Sequence, residues 1–408
     1  MTQYKPYAQY KDSGVEWTSL RLDRIFSVVK ERVSTSSHQL LTPSTVYGVI
    51  PQDQLPSRPQ QALRDDYQVA PAKPNDFVIS MSSHAHGIEW CGHYGGISPD
   101  YTTLRLKVDS NFAGYLKYAL KSTFMISQLG QFKSGVRMGL RLQWNDVRVC
   151  TILLPSMPSA QAIANFLDRE TERIDALIQK KSKFIELLEE KRQALISHAV
   201  TKGLNPDAPM KDSGVPWLGE VPAHWEVRRL RYICNITTGS KDTIMAEENG
   251  RFPFFVRSPI IRRINTYTFD GEGVLTSGDG AGVGKIYHYF NGKFDFHQRV
   301  YLFFGFRHVL GRFFYHYLIA NFHKVALDGG AKSTVDSLRL PLVQNFEFTI
   351  PPIDEQEKII LHVDEQSFKL EQLMKSTEIS IALLREKRSA LITAAVTGQI
   401  DVREEVVG

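Results

Sequence analysis

Lys11-Asp12-Ser13-Gly14-Val15-Glu16-Trp17 returns 200 residues later as Lys211-Asp212-Ser213-Gly214-Val215-Pro216-Trp217. Glu190-Lys191-Arg192-Gln193-Ala194-Leu195-Ile196 returns 196 residues later as Glu386-Lys387-Arg388-Ser389-Ala390-Leu391-Ile392. Matches at both ends of a unit make the chain two copies of that unit, with small length changes inside. The middles diverge. Leu104-Arg105-Leu106 faces Val300-Tyr301-Leu302, and 112–120 faces 310–318, while the polar residues between them hardly match. A shared scaffold with two different variable surfaces is the simplest account, and it suits a protein that reads two things in two similar ways.

Each copy ends in a helical pattern. From Ser159 to His198 there is no Pro or Gly, and apolar residues fall at Ile163, Leu167, Ile174, Leu177, Phe184, Leu188 and Leu195. These steps are sums of three and four, the spacing of a heptad seam. The second copy places Ile359, Val363, Leu370, Leu373, Leu384 and Leu391 in the same register. Polar residues interrupt both seams at matching places: Glu170 with Gln366, Lys181 with Thr377, Lys191 with Lys387. Matched interruptions point to two helices that pair with each other, each spanning roughly 60 Å if forty residues long. The competing reading is two amphipathic helices, each lying on its own domain.

The middles, about 18–155 and 225–350, read as mixed α/β domains. Phe77–Ile79, Thr102–Val108, Gly273–Thr276 and Arg299–Phe304 are strand-like. Helices are expected near 111–129 and 308–325, then a last strand at Val149–Leu154 or Phe346–Ile350, closed by Pro155 or Pro351-Pro352. Between the copies, Thr201 to Pro222 is rich in Pro, Gly, Asp and Asn and reads as a connector.

The composition, 42% hydrophobic and 23% charged, is that of a globular protein, long enough at 408 residues for two or three domains. A net charge of +5 is compatible with a polyanionic partner without demanding one. Cys91, Cys150 and Cys234 form no C-x-x-C pair, which argues against a disulfide framework and fits a reducing cytoplasm. The start, Met1 to Pro6, lacks the layout of a signal peptide, and no run of about 18 apolar residues suggests a membrane span.

Three stretches invite catalytic readings and fail in detail. Gly278-Asp279-Gly280-Ala281-Gly282-Val283-Gly284-Lys285 has Asp where a phosphate loop needs its first Gly, and Ile286 where it needs Ser or Thr. A glycine-rich turn leaving a strand is expected instead. Phe269-Asp270-Gly271-Glu272-Gly273 has the outline of an S-adenosylmethionine loop, but no Asp/Asn-Pro-Pro-aromatic tetrad accompanies it; Ile350-Pro351-Pro352-Ile353 lacks both flanking residues. His84, His86, Cys91 and His93 are too compressed for a two-pair structural zinc site and have no counterpart in the second copy. No catalytic, cofactor-binding or metal-ligating residue is assigned.

Thr201-Lys202-Gly203-Leu204-Asn205, Lys211 through Pro222, and His224-Trp225-Glu226-Val227 closely resemble the central conserved region of specificity subunits of type I restriction–modification enzymes. So does Pro351-Pro352-Ile353-Asp354-Glu355-Gln356-Glu357-Lys358-Ile359, leading into the distal helix. The resemblance extends to the order of parts along the whole chain. The first copy departs from it, with Ser159-Ala160-Gln161 in place of Glu355-Gln356-Glu357 and no Leu-Gly-Glu-Val-Pro run after Trp17.

The resemblance implies an α+β chain with two mixed α/β target recognition domains. Two long helices separate them, paired as an antiparallel coiled coil, in a pseudo-two-fold internal repeat. The expected parts are 1–157 (N-terminal segment and first recognition domain), 158–200 (central helix), 201–222 (linker), 223–352 (second recognition domain), 353–397 (distal helix) and 398–408 (tail). Each domain is expected to read one half of an interrupted site in double-stranded DNA, with the helices setting the unread gap. Expected partners are two methyltransferase subunits, which bind S-adenosylmethionine, and two motor–nuclease restriction subunits, which use ATP and Mg. The chain itself is expected to be non-catalytic, without a bound cofactor, cytoplasmic and away from membranes. A stand-alone DNA adenine methyltransferase and a coiled-coil adaptor without a DNA role are the alternatives.

Reading DNA needs cations for phosphates and polar side chains on loops for base edges. In the first domain the candidates are Ser82, Ser83, His84 and His86, which follow a strand, and Lys133, Ser134, Arg137 and Arg141, in a Gly-containing loop. In the second they are Arg257, Arg262, Arg263, Lys285, Arg299, Lys332 and Ser333. Lys332-Ser333-Thr334 and Lys133-Ser134-Gly135 occupy corresponding loops.

Overall fold

The computed structural model describes residues 17–35, 38–44, 48–55, 68–80, 87–132, 142, 144–326 and 338–402. The chain divides into two compact units, Met1–Lys181 with Ile379–Gly408, and Ser182–Glu378. Both boundaries fall inside long helices: a central helix, Met157–Lys202, and a distal helix, Ile353–Val396. Forty-six and 44 residues give each a length of roughly 65–70 Å.

In the first unit, Thr18–Arg21 pairs antiparallel with Thr151–Leu154. A four-stranded sheet runs in the order Phe26–Val28, Tyr101–Leu106, Phe77–Ser80, Ile88–Trp90. A five-stranded sheet adds Val33–Ser34, Gln68–Ala72, Gly95–Ile97, Leu40–Ser44 and Gly48–Pro51. The expected helix over 111–129 is broken in two, Ala113–Ala119 and Thr123–Gly130, because the Ser122 hydroxyl accepts from Met125 N and starts a fresh helix. The core joins Phe26, Phe77, Leu104 and Tyr115 to Ile163 and Leu167 of the central helix and to Ile392, Ala395 and Val396 of the distal one. The buried Tyr115 hydroxyl lies 2.6 Å from the carbonyl oxygen of Leu153 and 3.0 Å from that of Val396, donating to them.

In the second unit, Glu226–Arg229 pairs antiparallel with Glu347–Ile350. Six strands follow in the order Asn235–Thr238, Val300–Phe304, Phe269–Ser277, Tyr287–Phe296, Phe252–Phe255, Arg262–Ile264. Tyr287–Phe296 and Val300–Phe304 are both antiparallel to Phe269–Ser277 and so run parallel to each other, yet only three residues connect them. So short a crossover requires the ladder to curl. Gly271 and Gly292 face each other across the hairpin with φ of +143° and +136°, backbone open to glycine and strained for other residues. Glycines inside a strand pair mark a place where the ladder can bend. The core packs Trp225, Phe313, Phe314, Tyr317 and Phe348 on Ile196 and Val200 of the central helix and Ile359 and Val363 of the distal helix. The connector is more ordered than its composition suggests: Met210–Asp212 and Glu220–Pro222 form an antiparallel hairpin.

Trp17 corrects the register of the internal repeat. By sequence it matches Trp217, but it precedes a strand whose Thr18 pairs with Leu154, just as Trp225 precedes one whose Glu226 pairs with Ile350. Buried Leu22 and Ile25 follow Trp17 at the spacing at which buried Leu230 and Ile233 follow Trp225. Leu22 N bonds Cys150 O as Leu230 N bonds Phe346 O. Trp17 therefore stands where Trp225 stands, and the residues missing after it in the first copy are those of the hairpin.

The heptad seams are buried unevenly. Ile163, Leu167, Ile174 and Leu188 are buried, as are Ile359 and Val363, whereas Leu177, Phe184 and Leu373 are 40–43% exposed. The ends of each helix thus serve a β-unit core. Ion pairs join the two helices within each unit: Arg388 to Asp175 at 2.9 Å in the first, and Arg192 to Glu371 at 3.0 Å in the second.

Candidate nucleic-acid interface

The Ser182–Glu378 unit gathers two of the arginines expected from sequence. Phe269–Ser277 ends against the start of Val300–Phe304, with Ser277 opposite Val300. Gly278 then lies flush on Arg299, its N–H donating to the Arg299 carbonyl at 2.8 Å; a Cβ at Gly278 would sit 2.9 Å from that oxygen. Gly280, at φ +72°, turns the chain away. Asp279 is left between them, 7% exposed. The Arg257 Nη1 donates to its Oδ1 at 2.7 Å, and the Arg299 Nη1 lies 3.1 Å from its Oδ2. Arg257 arrives from the end of Phe252–Phe255, which is docked beside this turn by the bond from His297 N to Phe255 O.

His297 stiffens the turn. It is 3% exposed, and its Nδ1 accepts from Arg299 N at 2.9 Å. Burial, and next the Arg257 guanidinium, push its pKa below the ordinary histidine value, so the ring is a neutral acceptor that fixes the backbone under Arg299. Asp242 approaches from the other side, accepting from the Gln298 amide at 3.3 Å.

The remaining candidates are dispersed. The Arg263 guanidinium donates to the carbonyls of Gly250 and Arg251 at 2.6 and 2.7 Å, a loop-closing task, while Arg262 is exposed on the same strand. Lys285 lines a cleft of about 880 Å³ together with Arg192, Arg312, His316, Asp364 and Glu371. Ser82, Ser83, His84, His86, Lys133, Ser134, Arg137, Arg141, Lys332 and Ser333 lie outside the described residues. Sequence reading missed Asp279. Its signal was an acid between glycines directly after an apolar strand, where a phosphate-binding loop has no acid.

The motifs that carried the resemblance converge in space. Trp225 is fully buried, and its indole Nε1 donates to Glu355 Oε2 at 3.0 Å; His224 Nε2 reaches the same oxygen at 2.8 Å. Lys211 Nζ donates to the Trp225 carbonyl at 2.7 Å, and Gly203 packs against the indole. Fully buried Gln356 donates to the carbonyls of His308 and Pro351 and accepts from Leu310 N, tying the 305–310 loop and the Pro351 turn to the start of the distal helix. In the first unit Gly398 packs on Trp17 as Gly203 does on Trp225. Ser159 stands in the place of Glu355 there, and among the described residues the Trp17 indole N–H has no acceptor.

A second matched pair binds each β unit to a long helix. Asp168 of the central helix takes Lys117 and Tyr118; Asp364 of the distal helix, 196 residues on, takes Arg312 and His316. The position is shared and the chemistry differs.

Phe269–Gly273 lies inside a strand, with the Phe269 ring against Phe294 and Phe304, rather than in a loop. Cys91 is buried, its thiol donating to the His93 carbonyl. Among the described residues no three His, Cys, Asp or Glu side chains are grouped to hold a metal ion, and no helix is long and apolar enough to cross a membrane.

Residues 222–379, which contain the Asp279 cluster and the Trp225–Glu355 anchor, match the family described as Type I restriction modification DNA specificity domain. This segment is similar to type I specificity domains. The type I restriction enzyme EcoDI specificity subunit of Escherichia coli is 28% identical over 182 residues, 45% of this chain and 40% of that one, so the match spans two fifths of the relative's length. The structure reported as the structural basis underlying complex assembly and conformational transition of the type I R-M system superposes with a TM-score of 0.69. At 17% identity over 94% of this chain and 98% of that one, it shares the fold. The crystal structure of an HsdS subunit from Thermoanaerobacter tengcongensis gives 0.49 at 17% identity, over 94% and 97%. The resemblance to specificity subunits read from the repeated motifs is borne out by the family and by the Escherichia coli relative.

Proposed function

We propose that the chain is the DNA sequence-recognition subunit of a type I restriction–modification complex and is not itself catalytic. The observation that carries this is the specificity domain at 222–379. The matching registers Thr18–Leu154 and Glu226–Ile350 support a second such domain in the first unit. The two recognition domains, within 1–157 and 223–352, each read one half of a bipartite site in double-stranded DNA. The helices, at 158–200 and 353–397 with the linker 201–222, pair as an antiparallel coiled coil. The Asp175–Arg388 and Arg192–Glu371 ion pairs support that pairing. Helix length then sets the gap between half-sites.

In this reading two methyltransferase subunits bring S-adenosylmethionine, and two motor–nuclease subunits bring ATP and Mg. A pseudo-two-fold scaffold offers each member of a pair a similar face. The complex works on DNA in the cytoplasm. A stand-alone adenine methyltransferase is not favoured, because its cofactor-loop outline is occupied by strand and hydrophobic packing.

The test is single-molecule sequencing of DNA from cells expressing this chain with its neighbouring methyltransferase. Methylated adenines in a two-part motif with a fixed gap, seen only with both proteins, are expected. Methylation at one unbroken motif would mean a single reading domain, and methylation by this chain alone would favour the enzyme.

A further inference from the structure

The Asp279 cluster deepens that reading, and rests on it. An arginine that only neutralises phosphate needs no fixed orientation, because the phosphate field is broad. An arginine that reads a base must present two N–H donors in one plane, and a second side chain has to hold that plane. Arg257 and Arg299 have such a holder. Both use Nη1 on a single carboxylate that is 7% exposed, while their own side chains are 43% and 61% exposed. The opposite edge of each guanidinium, Nε–H with Nη2–H, is a two-donor fork. Asp279 is too deep to contact DNA itself, and the turn beneath it is fixed by Gly278 on the Arg299 carbonyl and by His297 on the Arg299 N–H.

We propose that Arg257 and Arg299 are the base-reading pair of the Ser182–Glu378 unit, with Asp279 as the positioning residue that fixes both forks. The base edge that matches such a fork is guanine, with O6 and N7 as adjacent acceptors in the major groove. Two forks tied to one carboxylate suit neighbouring base pairs, about 3.4 Å apart along the duplex. The half-site read by this unit therefore contains guanine, on either strand, at the positions that the pair faces.

The complex with its methyltransferase is tested in two steps. Wild-type methylome sequencing gives the motif first; absence of any bipartite motif would remove the underlying reading and this inference with it. Given a motif, Arg257→Ala, Arg299→Ala, Arg299→Lys and Asp279→Asn are compared by sequencing and by DNA binding over a salt series. Each variant should relax discrimination at G·C positions of one half-site by about 10- to 100-fold, leaving the other half-site and the gap unchanged. Asp279→Asn should relax the same positions as the arginine variants while keeping both cations. Arg299→Lys should behave as Arg299→Ala, because the fork is lost although the charge stays. The inference is overturned if neither half-site holds a G·C pair. It is equally overturned if Arg299→Lys restores wild-type discrimination, or if the alanine variants weaken all sequences alike and lower the salt slope by about one, the mark of a phosphate contact.

Discussion

The Trp225 indole donates to Glu355 at 3.0 Å, so the residue just before the strand Glu226–Arg229 is bonded to the first turn of the distal helix. Glu355→Ala strips a fully buried indole N–H of its acceptor, and His224 loses the same oxygen. The expected loss is about 1–3 kcal/mol in the unfolding transition of that unit. Ser159→Ala, at the matching place in the first unit, should cost about 1 kcal/mol or less, since among the described residues the Ser159 hydroxyl accepts from Ser156 alone. Urea titrations followed by tryptophan fluorescence compare the two; equal losses would contradict the assignment.

Gly292 and Gly271 face each other across the long hairpin of the second unit. Gly292→Ala forces a side chain into φ +136° and should cost about 1–3 kcal/mol. Gly214→Ala is the control, at φ +71° with open space around its Cβ, and should cost about 1–2 kcal/mol. The Gly292 variant alone should also blur recognition of one half-site, because the curl brings Arg257 to Asp279. Thermal melts and methylome sequencing read the two effects separately.

Acid should loosen the second unit at Asp364. Burial by itself would raise this carboxyl, but hydrogen bonds from His316 and Arg312 outweigh it and hold the pKa below the ordinary value. Such a group binds its proton more weakly folded than unfolded. Its stabilisation is full above the unfolded pKa of about 3.9 and is lost as pH falls through the folded value. The stability gap between wild type and Asp364→Asn should therefore be widest near neutrality and close below about pH 4. A gap that persists at lower pH would show that the difference is packing rather than charge.

The three thiols should be inert in the folded chain. Burial raises Cys91 and Cys150 to about 11 and Cys234 to about 12. Thiolate is the reactive form, so a disulfide reagent at pH 8 should label none of them until denaturant is added. Rapid labelling of the native protein would contradict their burial.

The scaffold was legible in sequence because duplication repeats its constraints. The Glu386–Ile392 echo located both long helices, and apolar runs located the strands around Val78, Leu104, Leu275 and Leu302. What escaped was set by tertiary packing. Trp17 matches Trp217 in a seven-residue word, yet strand register and the burial of Leu22 and Ile25 align it with Trp225. The break at Ser122 depends on one hydroxyl choosing a backbone N–H. At the candidate interface, Arg257 and Arg299 were visible as charges, while the acid joining them stands 22 and 20 residues away and meets them only in the folded sheet. Gln356 reads as one more polar residue in a charged helix start, although it is the most connected amide in that region.

The division of the chain inside its helices has a consequence for synthesis. Ser182–Glu378 is continuous, so everything it needs has been translated once Glu378 has emerged. The first unit is not: Ile392, Ala395 and Val396 belong to its core, and the Tyr115 hydroxyl bonds the Val396 carbonyl. On the ribosome the first unit must wait, open along the face those residues cover, until Val396 has emerged. Vectorial folding, which ordinarily completes domains from the N-terminus onward, is reversed here: the unit begun first is the last to close, and a chain stopped between Glu378 and Ile392 would hold a finished second unit and an unfinished first.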